Sequence, residues 1–204
     1  MGERRGGAIR LAAYRGSEAQ ALLNGLATLR ITVFADWPYL YEGDEDYEAR
    51  YLGQFLEGEG AFVAAAFDGE ALIGAATATP LLQHMDDLAE PVRQLGLDPQ
   101  AIFYLSESVL LSDYRGAGIG HRFFDMREDE AVRQGFATCF FCAVDREAED
   151  PRRPADTRSL ESFWRRRGYQ PLNGPKAHLS WRERGQADET DHSLTLWMHH
   201  LNGE

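Results

Sequence analysis

Val109-Leu-Leu-Ser-Asp-Tyr-Arg115-Gly-Ala-Gly118-Ile-Gly120-His121 joins an apolar run, Ile102–Leu111, to a helix-forming segment, Ile119–Gln134. A glycine-rich turn between strand and helix aims several free backbone N–H groups at one point, where the helix dipole is positive. Such a turn is an anion site, and its spacing excludes two common versions. The P-loop pattern ends in Gly-Lys-Ser/Thr, and this turn holds no lysine. The dinucleotide fingerprint G-x-G-x-x-G, started at Gly116, needs a glycine where His121 stands. The pattern that remains is Arg/Gln-x-x-Gly-x-Gly/Ala, with Arg115, Gly118 and Gly120 in the specified places. A glycine turn serving only helix packing is the alternative.

Outward from the turn, Ile119, Phe123 and Met126 fall on helical spacing, and Gly135 stops that helix. Phe136–Val144 reads as the next strand, Arg146–Thr157 as a polar loop and Ser159–Arg167 as a short helix halted by Gly168. His178–Arg182 and Ser193–Leu201 read as two strands around a polar turn at Gly185–Asp191. Toward the N-terminus, Ala8–Ala13 reads as a strand, and Ser17 as the cap of one helix reaching Phe34 along Leu22, Leu23, Leu26 and Leu29. Trp37–Tyr41 is an aromatic loop, and Tyr47–Leu56 a second helix. Ala61–Phe67 and Ala71–Thr79 form a hairpin through Asp68-Gly69. Gln83–Leu95 reads as a helix broken near Pro91. The pattern predicts one domain over residues 1–204, of mixed α/β class, with helices on both faces of a mixed sheet.

The 204 residues carry a formal net charge of −12, with a pI near 4.9 and 44% hydrophobic residues. A sizeable core can be buried. The acidic balance disfavours nucleic acid, whose binders present basic faces, and suits cationic small molecules. No run approaches the ~18 apolar residues of a membrane span. The first seven residues lack the apolar stretch of a signal peptide, and Gly6 stands where myristoylation wants Ser or Thr. A cytoplasmic protein is expected. The only cysteines, Cys139 and Cys142, fall within one predicted strand, where residues three apart face opposite sides; they read as core residues, and no metal is expected. Lys176 is the only lysine, and arginines 152, 153, 158, 165, 166 and 167 crowd one region. Such a cluster is a solvated face or a holder of phosphates.

The Arg115–Gly120 motif, the preceding strand with Glu107, Val109 and Leu111, and the following helix together resemble the GCN5-related N-acetyltransferase (GNAT) superfamily. The resemblance extends over the element order from Ile9 to Leu201, which follows that family's plan of about seven strands flanked by helices. It implies acetyl-coenzyme A as co-substrate. The strand Glu107–Leu111 is then expected to splay from Phe136–Val144, with the pantetheine arm beside Val109, Leu110 and Leu111. The diphosphate is expected on Arg115, Gly116, Ala117, Gly118, Ile119 and Gly120, with His121 next to it. An amide-bearing ligand would satisfy strand-edge groups otherwise left unpaired.

An amine with a pKa near ~10 must lose a proton before it attacks a thioester. A positioned base contributes about 10²–10⁴-fold. Glu107, the one carboxylate in Ile102–Leu111, is the candidate catalytic base; a structural glutamate paired with an arginine is the equal alternative. The oxyanion is expected at the N–H of Val109. The resemblance fails at the later helix, where the family carries an asparagine and a tyrosine that protonates the leaving thiolate. Here Arg158 and Trp164 stand in those places, so Trp164 is expected beside the coenzyme, Arg158 near its phosphates, and the acid is left to Cys142, to water or to no group. Tyr169 is expected in the core.

In similar proteins the loop between the first two helices walls the acceptor pocket. Here it carries Trp37, Tyr39, Tyr41 and Glu42, then Asp44, Glu45 and Asp46. Aromatic faces beside carboxylates suit an ammonium group, which points to a small cationic amine as substrate. The alternative makes Trp37 and Tyr39 core residues and the acids a solvated helix start. Three functions remain: acetyl transfer to such an amine, a non-catalytic acyl-coenzyme A sensor or partner-binding module of the same fold, or transfer of longer acyl groups or to a hydroxyl. A homodimer is left open.

Overall fold

The structure, a computed structural model, describes residues 8–83 and 86–201, with the backbone alone at 86 and 87. The stretch 1–7, read above for leader and lipidation signals, lies outside the described residues. In chain order the elements are β1 (Arg10–Arg15), α1 (Ser17–Gln20), α2 (Leu23–Phe34), α3 (Glu45–Glu57), β2 (Phe62–Asp68), β3 (Ala71–Pro80) and α4 (Asp86–Gln94). There follow β4 (Ile102–Leu110), α5 (Ile119–Arg133), β5 (Thr138–Val144), α6 (Glu161–Arg166), β6 (Gln170–Pro171), β7 (Ala177–Arg182) and β8 (Glu189–His200).

Among the described residues the strands form one eight-stranded sheet, ordered β1-β2-β3-β4-β5-β8-β6, with β7 also paired to β8. The β4–β5 pair is parallel and the other pairs are antiparallel. This is the expected mixed sheet flanked by helices. On one face, Ile119, Phe123 and Phe124 of α5 pack on Phe103, Leu105 and Phe141. On the other, Leu26, Leu29, Leu52 and Phe55 of α2 and α3 cover Val63, Ala75 and Val109, and α4 adds Leu88 and Val92 over Ile102, Tyr104 and Phe140.

Three local readings are corrected. The helix expected from Ser17 to Phe34 is interrupted at Ala21 and Leu22, and Gly16, at φ 51°, takes the cap position instead of Ser17. Pro91 lies inside α4 without breaking it: burial of Leu88, Ala89 and Val92 against the sheet outweighs one lost backbone hydrogen bond. The two-residue strand β6, too short to show a period, was not anticipated.

The feature that positions the site is a bulge. Thr79 faces Tyr104 and Thr77 faces Glu107, so Leu105 and Ser106 together stand against Ala78 alone. An extra residue bends its strand and increases the local twist. On the opposite edge, β4 and β5 pair only at Ile102–Thr138, Phe103–Cys139 and Tyr104–Phe140. Beyond Tyr104 the two parallel strands separate, and β5 continues against β8 alone.

Candidate active site

The separation leaves one edge of β4 open. Which backbone groups face it follows from the ladder. The N–H of Leu111 donates to Ile73 O at 3.0 Å. Hydrogen-bonded pairs alternate along an antiparallel ladder, so Leu111, Val109 and Glu107 turn their backbone groups toward β3. Ser108 and Leu110 turn theirs to the open edge. The N–H of Val109, where the oxyanion was expected, belongs to the β3 ladder, and that of the exposed Ser108 faces the open edge. Gly74 fits the same pattern, since it faces Leu110 in a close pair, where a Cβ would lie 2.6 Å from the Leu110 side chain. Leu110 O now accepts from Arg115 Nε at 3.3 Å.

At the end of this edge, Gly116 and Gly118 take φ of 82° and 81°, which turns the chain into α5 with no side chain capping its start. The first N–H groups of α5 have no intrahelical acceptor and point outward with the positive end of the dipole. Gly120 has its nearest Cβ neighbour at 3.9 Å, in Phe163. His121 is exposed, packs edge-on to Phe163 and lies 3.5 Å from Arg167 Nη1. A ligand with amides in its arm and a diphosphate at its end fits this edge and cradle.

The arginine cluster proves to be divided. Arg167 is tied to Asp125 and Glu128 of α5 at 2.8 and 2.6 Å. Arg152 binds Asp150 and Glu183, away from Arg167. Arg158 and Arg166 are exposed. Trp164 is partly buried against Phe141 and Trp197. Tyr169 is fully buried as expected, and its hydroxyl donates to Glu128 at 3.0 Å. Cys139 and Cys142 do face opposite sides, in different core clusters. Burial pushes the Cys142 thiol well above its ordinary range, which makes it a poor acid.

On the α2–α3 face, beside the bulge, lies a chain of charges that bears out the alternative of a Glu107 paired with an arginine; Arg30 and Glu48 themselves were not singled out in the sequence. Arg30 of α2 forms ion pairs with Glu48 of α3 and with Glu107 of β4. The side chain of Glu48 is 0% exposed and that of Glu107 15%, so Glu107 is the member reached from the cleft. Tyr51 donates to Glu107 Oε1 at 3.3 Å, and the Tyr41 hydroxyl hydrogen-bonds Glu48. Burial raises the phenols of Tyr39 (to about 12), Tyr51 and Tyr104, so they stay protonated at neutral pH and can donate but not serve as bases. A helical position such as Arg30, in a stretch read only for its leucines, carried a weak signal: one cation on an otherwise apolar helix.

The aromatic loop is more engaged than its sequence suggests. Arg146 lies over Trp37 at 5.7 Å and donates to the carbonyls of Pro38 and Tyr39. The Tyr39 ring sits between Phe34 and Trp181. Glu42 contacts Arg182 and the N–H of Gly185. Asp44 caps α3 by accepting from Tyr47 N at 2.8 Å, and Glu45 and Asp46 follow in its first turn. The loop is therefore packed against Arg146, Phe34 and Trp181, and its acids 44–46 form a helix start, as the alternative has it. A surface cavity of about 420 Å3, lined by Asp145, Arg146, Glu147, Asp150 and Arg152 among others, lies past the end of β5. Among the described residues no cluster of His, Cys, Asp and Glu could hold a metal ion, and no helix is long and apolar enough to cross a membrane.

Comparison with known proteins agrees with this geometry. The chain is similar in fold to a ribosomal-protein-alanine N-acetyltransferase from Brucella melitensis (14% identity, 93% of this chain and 99% of that one, TM-score 0.60). It is similar to an N-acetyltransferase from Staphylococcus aureus Mu50 (13%, 96% and 100%, TM-score 0.59). It is also similar to yncA from Salmonella typhimurium, solved with its cofactor acetyl-CoA (14%, 97% and 96%, TM-score 0.59). No curated protein matches the chain. The model of the acetyltransferase (GNAT) family, whose members use acetyl-CoA as co-substrate, matches residues 28–154, from α2 through the open edge of β4 to the loop after β5, and the chain belongs to that family.

Proposed function

We propose that the protein transfers the acetyl group of acetyl-CoA to a primary amine of a small, cationic acceptor. The carrying observation is the buried Glu48–Arg30–Glu107 chain: two carboxylates against one guanidinium, next to the open edge of β4. A buried charge left unmatched is costly, so this cluster favours one more positive charge beside Glu107. An ammonium group supplies it on binding, and the proton that the amine gives up supplies it afterwards. The cation is thus drawn by Glu107 rather than by the exposed acids of the 42–46 loop, while Trp37, Tyr39 and Tyr41 form the wall around it.

Acetyl-CoA supplies the acyl group and a thiolate that leaves without a strong acid. Residues 115–120 hold the diphosphate through backbone N–H groups, and Leu110 pairs with the pantetheine arm once Arg115 yields its carbonyl. Arg158 and Trp164 lie with the coenzyme. Ser108 N–H faces the carbonyl oxygen as it gains charge. The bound ammonium first gives one proton to Glu107, which passes it to solvent; the freed amine nitrogen then bonds to the carbonyl carbon, the carbon–sulfur bond breaks, and the nitrogen's second proton leaves with the thiolate as the coenzyme A thiol. A cytoplasmic setting goes with a coenzyme thioester and two free thiols.

Glu107→Gln is expected to lower kcat/KM toward amines by about 10²–10⁴-fold with acetyl-CoA binding kept. An unchanged pH–rate profile would dismiss the base. A second reading, an acyl-CoA-binding module without turnover, is favoured by the ion pair that already engages Glu107. Acetyl-CoA binding with no coenzyme A release across a panel of polyamines, amino sugars and peptide amines would establish it instead.

A further inference from the structure

Arg127 of α5 is 1% exposed, and among the described residues no carboxylate forms an ion pair with it. Its guanidinium lies over the Phe124 ring at 4.8 Å, and burial lowers its pKa to about 10. Its bonds go to carbonyls: Nε to Phe123 O at 3.1 Å, Nη1 to Glu107 O at 3.1 Å and to Thr77 O at 3.4 Å. The last two are the facing pair at one end of the bulge. A cation buried with no ion pair of its own is poor for stability, and an apolar residue of similar volume generally serves as well or better.

The target of Nη1 suggests what the charge does. The carbonyl of Glu107 and the N–H of Ser108 belong to one planar trans peptide, so they point in opposite directions. The ladder turns Glu107 O toward β3 and Ser108 N–H toward the open edge. A donor on the carbonyl of a peptide strengthens the N–H of that same peptide, by ~10–30% per bond, and charged donors act more strongly than neutral ones.

We propose that Arg127 is a positioning residue that polarises the Glu107–Ser108 peptide, making Ser108 N–H a stronger donor to the thioester carbonyl oxygen. This rests on the acyl transfer proposed above. It adds a buried cation on the face opposite the acceptor, acting through one peptide group without touching either substrate. Removing an oxyanion donor costs about 10²–10³-fold in kcat. Weakening it should cost about tenfold.

The test uses the full chain with acetyl-CoA labelled with ¹³C at the acetyl carbonyl, read by difference infrared spectroscopy beside steady-state kinetics. In the native protein the bound carbonyl stretch should lie below that of free acetyl-CoA. Arg127→Met should move it back toward the free value and lower kcat about tenfold, with the KM for acetyl-CoA little changed. Arg127→Lys, which keeps the charge, should recover part of both. If Arg127→Met fails to fold, the Lys variant is compared directly with the native protein and should show the smaller shift. An unchanged stretch and kcat in a variant that binds acetyl-CoA would overturn the role of Arg127. Absence of acetyl-CoA binding by the native protein would instead overturn the proposed function.

Discussion

Arg30 of α2 forms an ion pair with Glu107 of β4 across the α2–α3 face of the sheet. That contact joins α2 to the strand that bears the open edge. It also shares one guanidinium between Glu107 and the fully buried Glu48. Arg30→Met would leave two carboxylates facing each other in a dry site. Breaking a buried pair costs about 3–5 kcal/mol, whereas replacing the whole group can be neutral. Urea denaturation should therefore show Arg30→Met strongly destabilised, and Arg30→Met combined with Glu48→Gln much less so. Equal losses in the two variants would contradict the charge-sharing account.

Tyr169 offers a separate check on the leaving group. Its hydroxyl is buried and donates to Glu128. Tyr169→Phe should lose about 1 kcal/mol of stability, the worth of one hydrogen bond, and keep kcat. A fall of a hundredfold in kcat at unchanged stability would identify this phenol as the missing acid.

Glu130 ties the end of α5 to β1. Burial alone would raise its pKa, but hydrogen bonds from Arg133, Arg15 and Gln134 hold it down to about 2, against an ordinary 4.5. A carboxyl whose folded pKa is depressed contributes stability above its unfolded pKa and loses it as pH falls through the folded one. Its contribution should be complete above about pH 4.5 and fade toward pH 2. Melting temperatures between pH 5 and pH 2 should fall less steeply for Glu130→Gln than for the native protein. Parallel curves would contradict the assignment.

The glycine turn before α5 was legible because backbone geometry needs particular residues: φ near 80° at Gly116 and Gly118 restricts what can stand there. The splayed edge beside Val109–Leu111 was legible only through resemblance, since apolar runs look alike whether paired on one side or two. The bulge at Leu105–Ser106 left no sequence signal, so nothing in the sequence showed that Ser108, and not Val109, turns its N–H to the open edge. Arg30, Glu48 and Arg127 were missed for a related reason. A charged residue on a helix is ordinarily solvated, and only the approach of the sheet shows these three to be buried. The acidic stretch 44–46 was legible as a helix start, since acids favour the positive end of a helix, and Asp44 does cap α3.

The central claim is that backbone amides at the open edge of β4 and the start of α5 receive the coenzyme. Titrating ¹⁵N-labelled protein with acetyl-CoA and following its amide resonances tests this residue by residue. Ser108, Leu110 and residues 116–120 should shift together and saturate, with β1 and β2 unmoved. No shifts, or shifts gathered around Asp145–Arg152, would contradict it.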